Sequence, residues 1–144
     1  MTDEKIPRSP FATDNLLRLE NAVVLLGCAL VGYGLWATAP VVVGTAQPWD
    51  AAWPYYPAVL IVTAAALRLA TSADYLAIFF GLWIGQFIAI LGLYSPRFWG
   101  GPVFQASIGT VSTGVGSLVS VAGYLAGSLL RSAKSGGSSR RAGR

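Results

Sequence analysis

The sequence predicts an all-α protein, a polytopic integral membrane protein whose four transmembrane helices pack as two hairpins. Composition is the first reason. Of the 144 residues, 54% are hydrophobic and 11% are charged, whereas soluble domains are about 25% charged. The second reason is the segregation of charge: seven of the sixteen charged residues precede residue 21 and five follow residue 130. A soluble fold needs charge over its whole surface, so we expect the central part of the chain to lie in lipid.

Four apolar segments fit the roughly 20 residues that a helix needs to cross a bilayer. The second is short, but the long side chain of Arg68 can reach the headgroups at one end while Tyr55 and Tyr56 anchor the other. The fourth is long enough to tilt in the bilayer. In chain order, the predicted spans are residues 19–38, 55–70, 75–94 and 103–130.

The basic residues set the expected orientation. With four spans, the N-terminal segment, the turn at 69–74 and the C-terminal tail share one side of the membrane. That side carries nine lysines and arginines, and the other side carries only Arg97. This is a strong positive-inside signal. We therefore expect a multi-pass protein of the cell membrane (plasma or inner membrane) with both termini cytoplasmic.

The two ends of the chain are predicted to be flexible segments around a transmembrane domain at residues 15–130. Residues 1–14 form the first, and residues 131–144 form a disordered basic tail rich in Ser, Gly and Arg. A cleaved signal peptide is the competing interpretation of the start, because Ala-Thr-Ala at 37–39 resembles a cleavage site. Pro40 directly after that site, and four acidic residues before it, argue against cleavage.

The residue types predict no catalytic or metal chemistry. The chain has no histidine and one cysteine, Cys28, so it lacks the commonest metal ligand and general base and cannot form an internal disulfide. The spans hold almost no ionisable groups, and no base is placed to activate the serines of the fourth helix. We expect no enzyme, no cofactor and no metal. Nucleic acid or anionic lipid could bind the basic tail, but the favoured interpretation is an orientation signal, so no nucleic-acid partner is expected. The sequence makes no prediction about a small-molecule substrate.

Small residues of the fourth segment fall on one helix face. At about 100° per residue they occupy an arc of roughly 80°, with Val and Leu opposite. The third segment has a similar small face, and its one strongly polar residue near the middle is a glutamine. Such stripes let backbones approach closely, and a lone Gln in a span usually bonds to a neighbouring helix. The predicted helix-packing residues are Gly109, Ser112, Gly116, Ser120, Gly123, Gly127, Gly81, Gly85, Gly92 and Gln86.

Three structures could use these stripes. The simplest is an antiparallel hairpin of the third and fourth helices. Contact between copies of the fourth helix is the second, and a water-filled pore lined by Gly, Ser and Thr is the third. Packing is favoured over a pore because the pore-lining faces of selective channels carry more donors, acceptors or charges than this one.

The two loops predicted on the outer side are rich in proline and aromatic residues. Tryptophan and tyrosine are common at membrane interfaces, which explains them without a special function. The functional alternative is a docking surface for a partner subunit. Its candidate residues are Trp49, Asp50, Trp53, Arg97 and Trp99.

Together these features predict a small, non-enzymatic integral membrane protein that acts as an accessory, scaffold or assembly subunit of a larger membrane or envelope complex. Its expected partners are membrane lipid and either other membrane protein subunits or copies of itself. The alternative comes from a different class of protein: a homo-oligomeric pore, holin or facilitative channel built on the Gly/Ser-rich fourth helix.

Overall fold

The described part of the chain is all-helical, as the sequence predicts. Its computed structural model describes residues 10–45, 47–93 and 111–141, with side chains described between residues 16 and 134 of these ranges, and no β-strand occurs in them. The last helical region has a turn at Val119, which divides it in two. The helices are α1 (Pro10–Val42), a short 3-10 helix (Pro48–Asp50), α2 (Tyr55–Ala70), α3 (Tyr75–Leu93), α4 (described over 111–118) and α5 (Ser120–Arg141).

Three stretches of helix are long and apolar enough to cross a membrane: Leu16–Val42, Tyr75–Leu93 and Val111–Lys134. Helix α2 is also apolar but has only 16 residues. Its bounds coincide with the predicted second span, and α3 ends one residue before the predicted third span does. Residues 103–110 of the predicted fourth span lie outside the described residues.

Helical structure extends into both end segments of the chain. Helix α1 begins at Pro10, inside the segment predicted to be flexible, and α5 runs to Arg141, through most of the tail predicted to be disordered. Proline fits the first turn of a helix because its missing N–H would have no partner there. At the other end, an existing helix gains one hydrogen bond for each residue added, and no proline follows residue 102 to stop it.

The helices pack as two parallel pairs. Helix α1 lies along α3, and α2 lies along α4 and α5, whereas α3 touches α5 at only a few positions. In the first pair Leu25 meets Gly81 and Ala29 meets Gly85, so the residue numbers of the two helices rise together. The expected hairpin of the third and fourth helices through their small residues is therefore wrong.

The two faces of α3 explain this pairing. The face toward α1 is small, and a Cβ added to Gly85 would collide with the α1 backbone. The other face carries a ladder of rings, in which Phe79 lies 5.9 Å from Tyr75 and 6.2 Å from Trp83 between centroids. Tyr75 also contacts Tyr124 of α5 at 5.4 Å. Rings of this size hold α3 and α5 apart, so close backbone contact forms only on the glycine face.

The small face of α5 is used on α2. A Cβ on Gly123 would collide with the backbone of Ile61, and one on Gly127 would lie 2.8 Å from the carbonyl oxygen of Ala65. These helices also run parallel, because the paired positions advance together. The opposite face of α4 and α5 is exposed and apolar, as a lipid-facing surface should be, and it consists of Val111, Val115, Leu118, Leu125 and Leu129.

Alanine at the close-contact glycines should destabilise the protein. We expect Gly85→Ala and Gly123→Ala each to lower the free energy of unfolding by about 1–3 kcal/mol, the usual cost of overpacking, because backbone atoms block the new methyl group. The control is Gly92→Ala, since nothing lies within 4 Å of a Cβ there. That variant should gain up to about 1 kcal/mol from helix propensity. Unfolding in detergent, followed by circular dichroism, measures all three, and equal stability would contradict the packing.

Candidate functional site

Gln86 is the polar centre of the bundle. Its side chain is fully buried. Its Oε1 accepts a 2.6 Å hydrogen bond from the Tyr56 hydroxyl, and its Nε2 donates to Ser117 Oγ at 3.0 Å and to the Leu82 carbonyl at 3.2 Å. The Trp36 indole N–H makes a longer contact with Oε1, at 3.5 Å. One side chain therefore links α3 to α2, to α4 and, more weakly, to α1.

Gly116 provides the space for one of these bonds. A Cβ at this position would collide with the hydroxyl and ring of Tyr56. Because the ring passes directly over α4 at the glycine, its hydroxyl reaches Gln86 on the neighbouring helix. Gly116 thus leaves room for a side chain of α2, whereas Gly123 and Gly127 leave room for the backbone of α2.

Hydroxyl groups of α4 and α5 complete the cluster. Thr113, Ser117 and Ser120 are all fully buried. The Ser120 hydroxyl donates a 2.6 Å hydrogen bond to the Ser117 carbonyl, across the turn that separates the two helices. A buried polar cluster whose members bond to one another specifies a single packing arrangement of the helices.

Aromatic rings close one end of the bundle, through the loop between α1 and α2. Trp36 of α1 contacts Trp49 edge to face, with centroids 4.7 Å apart, and Trp49 contacts Tyr56 at 5.9 Å. Trp53 packs on Tyr55 at 5.3 Å. Even so, Trp49 is 39% exposed and Trp53 is 51% exposed. Both tryptophan rings therefore pack against the bundle on one side and are accessible on the other. We call this end of the bundle the aromatic end.

Hydrogen bonds hold the other end, at the short connection between α2 and α3. From α1, the Glu20 carboxylate accepts the backbone N–H of Ser72 at 2.7 Å, and Asn21 makes two hydrogen bonds with Asp74, of 2.9 and 3.0 Å. From α5, Arg131 donates to the first carbonyl of the connection at 2.5 Å. Three separate parts of the chain therefore meet here. We call this end the basic end, because the parts of α1, α2 and α5 nearest to it in sequence carry Arg18, Arg68, Arg131 and Lys134.

An apolar groove of about 370 Å³ runs along the outside of the first helix pair. It forms because small residues bring the backbones of α1 and α3 together while larger side chains stand on either side. Apolar surface alone is what a groove facing lipid requires. The residues around it are Leu26, Ala29, Leu30, Tyr33, Gly85 and Ile88.

The predicted packing residues divide between two interfaces. The closely packed glycines of α3 face α1, those of α4 and α5 face α2, and Gln86 bonds to α2 and α4. Gly92 has no neighbour within 4 Å of a Cβ position, so it belongs to neither interface. Gly109 lies outside the described residues. Gly81 and Gly85 lie against α1; Gly116, Gly123 and Gly127 lie against α2; Ser120 is buried and Ser112 half-buried.

The predicted docking residues are described only in part. Trp49, Asp50 and Trp53 lie together in the loop at the aromatic end, and all three are exposed. Arg97 and Trp99 lie outside the described residues. The structure thus brings together the members of the first loop.

Sequence reasoning missed the partners of Gln86. Tyr56 and Trp36 resembled ordinary interfacial aromatic residues, and their buried hydrogen bonds follow only from the way the helices pair. A weak signal existed for Ser117, which lies one helical turn from Thr113 at the edge of the small stripe. Two hydroxyl groups at that spacing are neighbours on one face and indicate a polar contact.

Comparison of the chain with protein-family models, curated proteins and solved structures finds no match. Among the described residues, no group of three or more His, Cys, Asp or Glu side chains is placed to hold a metal ion. Function is therefore interpreted from the geometry of the cluster and of the two ends of the bundle.

Removing the central amide should uncouple the helix pairs. We expect Gln86→Leu to cost about 1–3 kcal/mol of stability, because Tyr56 and Ser117 would keep buried hydroxyls without their partner. Tyr56→Phe should cost less, about 0.6 and at most about 1.7 kcal/mol, as for other hydrogen bonds between transmembrane helices. A double-mutant cycle in detergent tests the pair. The losses of stability caused by Gln86→Leu and Tyr56→Phe should not add in the double mutant, because both remove the same bond. In the control cycle, the effects of Gln86→Leu and the exposed Tyr33→Phe should add. An additive Gln86–Tyr56 cycle would contradict the bond.

Proposed function

We propose that this is a non-enzymatic protein with four transmembrane helices that serves as an accessory, scaffold or assembly subunit of a larger membrane complex. The exposed surface at the aromatic end carries the proposal. Trp49 and Trp53 are exposed there, although packing on Trp36, Tyr56 and Tyr55 fixes them in position. Tryptophan and tyrosine are enriched among the residues that dominate protein interfaces, and prearranged rings lose little conformational entropy on binding.

The contacts at the basic end support four spans with both termini on one side of the membrane, and the nine basic residues on that side support its being the cytoplasmic side. Glu20 of α1 and Arg131 of α5 each form a hydrogen bond with the connection between α2 and α3. This arrangement fits an even number of crossings. Helix α2 is about 24 Å long at 1.5 Å per residue, short of the roughly 30 Å hydrocarbon layer. Arg68 and the two tyrosines at its ends suit a short span.

Cysteine labelling tests this topology. In a Cys28→Ala background, Ala52→Cys should react with a membrane-impermeant maleimide on intact cells, because residue 52 is exposed at the aromatic end. Ser72→Cys, exposed at the basic end, should react only after the membrane is permeabilised. Labelling of both positions in intact cells, or the reverse pattern, would contradict four spans with cytoplasmic termini.

Packing also supports retention of the first segment in the mature protein. Leu35, Trp36 and Ala39 of α1 are buried against the rest of the bundle. Cleavage after Ala39 would remove the backbone that Gly81 and Gly85 pack against. It would also remove the indole that approaches Gln86.

The alternative, a homo-oligomeric pore, holin or facilitative channel built on the fourth helix, has less support. The small face of α5 is covered by α2 within a single chain. The hydroxyls of Ser117 and Ser120 are engaged in the buried cluster. Lining a pore with this face would require α5 to leave α2.

Purification of the full chain in mild detergent separates the two functions. An accessory subunit should retain a foreign membrane protein in a fixed ratio. Trp53→Ala should lose that protein, since truncating a central interface tryptophan typically costs about 2 kcal/mol or more of binding. The control is Leu129→Ala on the lipid-facing surface, which is 72% exposed and should leave the ratio unchanged. A closed homo-oligomer that conducts ions in liposomes would contradict the proposal.

A further inference from the structure

We propose that the basic end of α2 and α5 binds the phosphate of an anionic phospholipid, with Arg68 as the principal contact. The proposal does not depend on the accessory role. It requires only that this end of the bundle lies at the surface of the bilayer.

The guanidinium of Arg68 is fixed in place. Its Nε donates a 2.9 Å hydrogen bond to Ser128 Oγ, and its central carbon lies 4.9 Å from the centroid of the Tyr124 ring. The Ser128 hydroxyl in turn donates to the Tyr124 carbonyl at 2.9 Å. Two residues of α5 therefore hold the Arg68 side chain, which would otherwise be mobile. A charged group held in this way is preorganised for a ligand.

This guanidinium has no counter-ion among the described residues. Arg68 is half-buried, and its described hydrogen bond uses Nε alone, which leaves both Nη groups to donate elsewhere. The acids of this end, Glu20 and Asp74, bond to Ser72 and Asn21 on the side of α1. A partly buried charge is costly without a partner. The forked Nη edge of arginine matches the oxygens of a phosphate.

A second cation, Arg131, lies close to Arg68, and a third, Lys134, follows it along α5. The Nη1 of Arg131 is 3.4 Å from the backbone carbonyl of Arg68, and its Nη2 is 3.4 Å from Ser72 Oγ, so its guanidinium lies against the same end of α2. Lys134 follows Arg131 by about one turn of α5, and both residues are exposed. Basic clusters between transmembrane helices on the cytoplasmic side are typical sites for anionic headgroups.

The surroundings favour a lipid over free phosphate. Leu69 of α2 and Leu129 of α5 are 46% and 72% exposed in the same turns as Arg68 and Ser128, so acyl chains can lie beside the headgroup.

Lipid binding by the full chain in detergent tests the site. Native mass spectrometry with added phosphatidylglycerol or phosphatidylcholine should show preferential retention of phosphatidylglycerol. Arg68→Gln should weaken that retention about fivefold, the typical effect of one cation near an anionic lipid. The matched control is Arg18→Gln, an equal change of charge at an exposed position of α1. It should change retention less than about twofold, because solvent ions screen exposed charges.

A second variant keeps the test decisive if Arg68→Gln does not fold. Arg68→Lys retains the charge but loses the forked pair of Nη groups and the hydrogen bond from Nε. Its retention of phosphatidylglycerol should therefore lie between that of Arg18→Gln and that of Arg68→Gln. Equal losses in Arg18→Gln and Arg68→Gln would indicate diffuse attraction and overturn the site. Equal retention of both lipids would do the same. If inorganic phosphate displaced phosphatidylglycerol at a concentration similar to that of the lipid, the site would bind free phosphate, and the assignment to a lipid headgroup would be overturned.

Discussion

The side-chain amide of Gln86 joins two halves of this protein that otherwise touch little. One half is the α1–α3 pair and the other is α2 with α4 and α5, and few contacts outside the amide cross between them. Gln86 accepts a hydrogen bond from Tyr56 of α2 and donates one to Ser117 of α4, so it bonds with two helices of the second half at once. Because lipid offers these groups no replacement partner, separation of the halves would leave several polar atoms unbonded.

Small and bulky faces determine which helices pair. Lipid tails are as apolar as leucine, so transmembrane helices associate through close packing and hydrogen bonds rather than through the hydrophobic effect. Close packing occurs at Gly85 against α1 and at Gly123 against α2. Between the halves, the rings of Tyr75, Phe79 and Trp83 occupy the space that backbones would need for contact. Across this wider interface the fully buried polar contacts are those of the amide cluster, and Thr38 of α1 also approaches the Tyr55 hydroxyl of α2 at 3.2 Å.

The sequence predicts the elements better than their arrangement. Hydropathy predicted the bounds of α2 and α3, and helical periodicity separated the glycine face of α5 from its exposed leucines, because both depend only on neighbouring residues. Pairing depends on which small faces meet, and any small face can accept another. The aromatic ladder on α3 excluded the expected hairpin, but its effect appears only once the helices are placed together. The partners of Gln86 lie 30, 31 and 50 positions away, beyond the reach of local patterns.

Structure and proposed functions occupy different parts of the molecule. The interior is used for packing, and the two ends present exposed tryptophans on one side and fixed arginines on the other. The most direct test of the central bond is nuclear magnetic resonance of the protein in lipid bicelles. The side-chain amide protons of Gln86 should show cross-peaks to the ring of Tyr56 and to the β-protons of Ser117. Cross-peaks only to residues of α3, or to water and lipid, would contradict a bundle joined through this amide.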